Sequence, residues 1–185
     1  MTRKSKLLIG TLFSVLLLSP LLCLVFYDLL CFQPYADRVH STYLRLPDDE
    51  RDIPTSVVTV IRRAEEPNLG YHLSLRLRED SKVPHRDMME WHIQSLMWPI
   101  LLRLHLSEKQ RMALYCHYLL FEQGIGLKES ANYHFRKSMG DLTEDEVLTL
   151  LTIDLAPRNY SPILHPDRFN EGFRRLKDRY NRASD

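Results

Sequence analysis

Three basic residues, Arg3, Lys4 and Lys6, stand before an apolar run from Leu7 to Tyr27. A run of about 20 residues is what an α-helix needs to cross a hydrocarbon core of roughly 30 Å. Pro20 is a kink position inside it and Asp28 marks its far end. A cleaved signal peptide is the competing reading. Its apolar stretch is shorter, about 7–15 residues, and closes on small residues, which Leu21-Leu22-Cys23 does not offer. The run is therefore expected to remain as one transmembrane anchor. Its basic flank stays cytoplasmic by the positive-inside rule, so the rest of the chain is expected outside. The expected organisation is a basic tip and anchor over 1–32, a polar juxtamembrane linker over 33–51, one domain over 52–180 and a tail over 181–185.

The 185 residues suit a single domain behind such an anchor. The formal net charge is +1 with basic residues scattered, so no field recruits nucleic acid. Of the cysteines only Cys116 lies beyond the anchor region, Cys23 and Cys31 being in or beside the apolar run. A disulfide framework is therefore not available to the soluble part.

Beyond the linker the apolar periodicity is helical. Val57, Val60, Ile61 and Ala64 keep one face. Residues 73–85 mix charges and read as a loop. Asp87 to His105 is helical in pattern, with Pro99 interrupting it. Ser107 to Gln110 and Thr143 to Glu146 are capping boxes, each opening a helix. Gly124 and Gly126 form a turn, Leu127 to Phe135 is a short helix, and Asp167 to Tyr180 is a last charged one. Val147, Leu150, Leu151 and Asp154 carry the helix that Ala156-Pro157 ends. No strand signal is strong and no internal repeat appears, so the fold class is mainly α. Trp91, Met97 and Trp98 read as core packing, or else as membrane-interface contact. His85 with His92 and His117 with His134 lack compact metal-ligand spacing.

The stretch 124–168 carries a run of motifs without a gap. It reads Gly124-Ile125-Gly126-Leu127, Ser130-Ala131, His134-Phe135-Arg136-Lys137-Ser138, Asp141-Leu142-Thr143, then Leu155-Ala156-Pro157-Arg158-Asn159-Tyr160-Ser161-Pro162 and His165-Pro166-Asp167-Arg168. Upstream, Ile53-Pro54 is followed by Ala64-Glu65-Glu66-Pro67-Asn68-Leu69-Gly70-Tyr71-His72. Together these resemble the peptidoglycan glycosyltransferase (transglycosylase, family 51) domain of penicillin-binding proteins and monofunctional transglycosylases, in a shortened and degenerate form. That family reads IP, AED-xx-F-xx-H, a Gly-turn, YFGK, DLT and LPxAPxxYSP. The resemblance covers about residues 52–180 and implies a lysozyme-like fold.

Glu65 falls where the family places its catalytic glutamate. Polymerising lipid II joins a sugar hydroxyl to an anomeric carbon that bears a lipid diphosphate. The hydroxyl needs a positioned base, and the departing diphosphate needs cations or a metal. The resemblance makes Glu65 the candidate base. It assigns Glu66, His72, Arg136 and Lys137 to the substrate, and implies a divalent cation, Mg or Mn, if the protein is active. Departures are also legible. No GxSTITQQ-like run follows, and too little chain separates His72 from Ser107 for the lobe that carries it. Arg86-Asp87-Met88-Met89-Glu90 resembles the RKxxE motif in composition and makes Glu90 the second catalytic candidate, whereas spacing from Ser107 puts Ser95 there. ILExYLN becomes Arg111 to His117, with Ala113 for its glutamate, and the arginine of RxxxVL falls on Gly172.

Two functions are left open. One is a membrane-anchored glycosyltransferase-like protein of cell-wall synthesis acting on or binding lipid II or a glycan strand. The other is an inactive family member that partners cell-wall synthases. Both imply a single-pass protein of the bacterial inner membrane with its C-terminal domain on the outer, periplasmic side. Glu90 facing Glu65 across a cleft would favour catalysis; Glu90 pointing away would favour binding.

Overall fold

The computed structural model describes residues 18–121 and 124–183, with the side chains of Glu66 and Pro67 outside the described ones. The described part is mostly helical. Helix α1 occupies residues 18–27, a π-helical turn spans Asp28–Phe32, and α2 spans Gln33–Arg45. There follow α3 (Asp48–Arg51), α4 (Thr55–Asp80), α5 (Met88–His105) and α6 (Glu108–His117). A two-residue antiparallel ladder, β1 (Leu120–Phe121) with β2 (Gly124–Ile125), precedes α7 (Leu127–Phe135), a 3-10 turn (Met139–Asp141), α8 (Glu144–Leu155) and α9 (Pro166–Arg182).

The first three segments join into one helix, Leu18–Arg45, of 28 residues, long and apolar enough to cross a membrane. Arg3, Lys4 and Lys6 and the first part of the expected anchor lie outside the described residues. Residues 33–51, read above as a polar linker, are mostly helical. Pro34 follows directly on the π-helical turn inside this continuous helix, and Val39 and Leu46 are buried.

The centre of the fold is α4, packed by α5, α6, α8 and α9. Neighbours on several sides explain why Val57, Val60, Ile61, Ala64, Leu73 and Leu77 are all buried. Helix α4 also corrects the loop expected over 73–85, because it runs on to Asp80. Leu73 and Leu77, one turn apart, are both buried, so this end keeps an apolar face. The neighbouring charges that obscured the pattern include Arg76, which pairs with Glu79. Pro99 does not interrupt α5, which continues to His105. Its ring packs on α4 at Gly70, where an added Cβ would lie 3.4 Å from Pro99 Cβ.

Both capping boxes form. Ser107 accepts from Gln110 N while Ser107 N donates to Gln110 Oε1 at 2.8 Å. Thr143 and Glu146 make the same reciprocal pair. The glycine turn is the ladder itself: Gly126, at φ 107°, lies in a region open to glycine and strained for other residues.

Candidate functional site

Glu65 lies in the middle of α4 and is buried, with 2% of its surface exposed. Its Oε1 is 3.5 Å from Nη1 of Arg179 on α9, and the same nitrogen donates to Ala64 O at 3.1 Å. Its Oε2 is 3.7 Å from His72 Nδ1 and has no hydrogen-bond partner among the described residues. A second acid comes from the far end of α8. Asp154 is also buried and accepts a hydrogen bond from Leu120 N at the start of β1.

These surroundings shift both acids the same way. Burial pushes the Glu65 carboxyl up to about 7, with the Arg179 charge opposing and Asp154 adding repulsion. Burial likewise pushes Asp154 up to about 6, against the Leu120 amide and the Arg76 charge. The buried Tyr115 hydroxyl is driven well above the usual tyrosine range, first by burial and then by both acids. His72 is pushed down by burial and by Arg76 and Arg179. A cavity of about 220 Å³ opens beside the group, lined among others by Tyr71, His72, Arg76, Tyr115, Tyr118 and Asp154. Glu65 is not among its lining residues and sits behind them.

Of the residues expected to act together, the structure joins Glu65 with His72 and separates Glu90 and Lys137 from them. Glu90 is at the start of α5, accepting from Arg86 N at 2.8 Å and from Arg86 Nε at 3.3 Å. It neighbours Trp91, whose carbonyl is 3.5 Å from Arg78 Nη1. Arg78 is one helix with Glu65 but lies some 13 residues further along α4, about 20 Å at 1.5 Å per residue. Ser95 does not face Glu65 either: it accepts from Arg78 Nη2 at 3.0 Å and donates to Trp91 O at 2.8 Å.

Lys137 holds Glu146, with Nζ at 2.7 and 2.9 Å from its two oxygens. That pair sits at the first turn of α8, whereas Asp154 sits near its end. Arg136 closes α7 in the left-handed conformation. It lines an open groove of about 780 Å³ with Asp48, Asp49, Asp52, Lys128 and Asn132. The side chain of Glu66 lies outside the described ones. Among the described residues no three His, Cys, Asp or Glu side chains gather as a metal cluster. The described side chains therefore build no site for the divalent cation that the resemblance implies, and no step is routed through one.

Comparison with known proteins gives one partial match. Over 66 residues, 35% of its length, the chain is 39% identical to penicillin-binding protein 1F of Bacillus subtilis (strain 168). A penicillin-binding protein carries a related segment. The match spans only 9% of that protein, and the chain matches no protein-family model.

Motif reading missed two residues of this group, Asp154 and Arg179. In LPxAPxxYSP the second position is proline, and counting back from Tyr160 puts Asp154 there. A charged residue at a proline position near the end of an apolar helix was the available signal. Gly172 stands where the pattern has an arginine. A Cβ added at Gly172 would lie 2.8 Å from the Tyr160 ring, so the tyrosine occupies the space that a larger side chain would need. Arg179, two turns on and on the same face of α9, is the arginine that reaches Glu65.

Proposed function

We propose that this is a membrane-anchored, glycosyltransferase-like protein of bacterial cell-wall synthesis that acts by binding rather than by polymerising. In this reading the helical body is a reduced lysozyme-like transglycosylase fold. Its ligand is lipid II or a glycan strand, presented to synthases of the same membrane. The partial similarity to a penicillin-binding protein supports the cell-wall assignment. Helix Leu18–Arg45 supports the anchor, and Arg3, Lys4 and Lys6 before the apolar run support an outward-facing body.

The observation that carries the choice of binding is the placement of Glu65. A general base must come within about 2.6–3.2 Å of the proton it removes. Glu65 is buried behind Arg179 and His72, and Glu90 is tied to Arg86. One observation favours the second reading, an active polymerase with Glu65 as base: its carboxyl is held near 7, the range in which a base works at neutral pH.

The experiment is a lipid II polymerisation assay and a lipid II retention assay on detergent-purified full-length protein, with Glu65→Gln beside it. Binding predicts no glycan chains from either and retention of lipid II by both. Glycan chains from the unsubstituted protein, abolished by the substitution, would overturn it in favour of catalysis. Neither chains nor retention would remove lipid II as the ligand.

A further inference from the structure

Three arginines from three helices line one small cavity. Arg62 comes from α4, Arg103 from the last turn of α5 and Arg111 from α6. Glu108, in the first turn of α6, is the one carboxylate among the lining residues. Leu69 and Met112 are apolar members of the same wall. The cavity is about 60 Å³, room for a small group and not for an extended ligand. It shares no lining residue with the cavity beside Glu65.

The charges in this cavity do not balance. Three guanidinium groups against one carboxylate leave two positive charges in excess, and Glu108 is already paired with Arg62. Burial holds the Arg111 guanidinium below the usual arginine range, with the Arg103 charge acting in the same direction and Glu108 against it. Arg111 Nε is buried and has no hydrogen-bond acceptor among the described residues. Like charges gathered in a partly buried place cost free energy unless a counter-ion joins them.

Arg111 is also out of place in the motif around it. The first position of ILExYLN is isoleucine, and here that position is Arg111. An arginine at an apolar position is this chain's own departure from the pattern. The walls that carry the arginines are held by packing and capping rather than by these charges. Pro99 of α5 packs on Gly70 of α4, where an added Cβ would lie 3.4 Å from Pro99 Cβ. The Ser107–Gln110 capping box fixes the start of α6.

Guanidinium groups bind carboxylates and phosphates through paired N–H donors. Charge decides between the two. A carboxylate neutralises one positive charge, whereas a terminal phosphate carries about −1.5 to −2 at pH 7 and matches the excess. We propose that Arg62, Arg103 and Arg111 form a binding site for a terminal phosphate, either inorganic phosphate or a phosphate monoester. A soluble monoester and the headgroup of phosphatidic acid offer the same group. The ligand differs from lipid II, whose diphosphate is esterified at both ends, so the inference goes beyond the cell-wall reading and stands without it.

The test uses the full-length protein in phosphatidylcholine nanodiscs, titrated with inorganic phosphate by isothermal titration calorimetry at fixed ionic strength. The expected result is saturable binding, weakened at least tenfold by Arg103→Gln and by Arg111→Gln. Arg174→Gln, at an exposed position of α9, should leave it unchanged, and acetate, a monoanion, should bind at least tenfold more weakly than phosphate. No saturable binding, equal affinity in the Arg103 and Arg111 variants, or acetate binding as tight as phosphate would each overturn the proposal. Arg103 is exposed and its removal relieves Arg111, so the melting temperature of Arg103→Gln without phosphate should not fall. A fall of several degrees would make Arg103 a residue of the fold and would also overturn it. Two competitions then name the source. Displacement of phosphate by glycerol 3-phosphate assigns a soluble monoester; a several-fold loss of phosphate affinity with phosphatidic acid in the discs assigns the lipid headgroup. Competition by neither leaves inorganic phosphate as the ligand, and all three keep the site.

Discussion

Glu146 and Asp154 belong to the same α8 and meet opposite fates. Glu146 is in the first turn, where it closes a capping box with Thr143 and takes both oxygens to Lys137. Its carboxyl is held below the usual range, first by Lys137 and then by the Thr143 amide. Asp154 is in the last turn, where unpaired carbonyls make the helix end negative. It is buried, has the Leu120 amide as its hydrogen-bond donor, and is pushed up to about 6. Beside it Glu65 is pushed up to about 7. One end of α8 carries charge that the fold welcomes, and the other carries charge that it resists. Acids whose surroundings oppose ionisation are the ones that chemistry or proton-linked binding can use.

The sharpest way to break this contrast is to remove the charge that the fold resists. Unfolded, Glu65 titrates near 4.5, and folded near 7. Between those values the folded state binds the extra proton, so stability is full below the lower value and falls as pH rises through the upper one. Glu65→Gln should therefore raise stability at pH 8, by about 3 kcal/mol at most, and change little at pH 4.5. Thermal unfolding followed by circular dichroism across that range checks it. A melting temperature of the unsubstituted protein that rises with pH over the same range would contradict the buried, protonated acid.

Arg179→Ala comes next. It removes the cation nearest Glu65, so at pH 8 the remaining carboxylate is buried without compensation, at a cost of about 2 kcal/mol given that Arg179 is itself partly exposed. At pH 5 the carboxyl is protonated and the loss should shrink to less than half. A pH-independent loss would mean that Arg179 acts only through its bond to the Ala64 carbonyl. Asp154→Asn should be milder. Asparagine still accepts from Leu120 N, and its neutrality lets Glu65 ionise at lower pH, so the total stability lost as pH rises should be smaller than in the unsubstituted protein.

Legibility in the sequence followed the reach of the interactions. The capping boxes at Ser107 and Thr143 were readable because each closes within four residues. The helix over Leu127 to Phe135 and the helix end at Ala156 were local in the same sense. Glu65 and His72 were readable only through a motif, and their proximity in space follows from two turns of one helix. Arg179 was not readable, because it lies 114 residues from Glu65 and meets it only when α9 packs on α4. The end of α4 was hidden by its own charges, since Leu73 and Leu77 alone carry the apolar period there. The dispersal of Glu90 and Lys137 away from Glu65 could not be counted from spacing at all; it depends on which ends of α4, α5 and α8 come together.

The smallest expected effect tests the welcoming end. Lys137→Ala removes an ion pair that is partly exposed to water, and such pairs contribute little to stability. The Thr143–Glu146 capping box remains, so the melting temperature should move by roughly a degree or two, alike at pH 5 and pH 8. The same substitution separates two roles for the Arg136 groove. If Lys137 serves the fold alone, lipid II retention by the full-length protein is unchanged. If it leaves Glu146 to meet a diphosphate, retention falls several-fold while the melting temperature stays, and a matching fall in Arg136→Ala would place both cations on the ligand. The charge at this end of α8 would then be a reserve for binding, and the contrast with Asp154 would be between an acid that releases a cation and one that holds a proton.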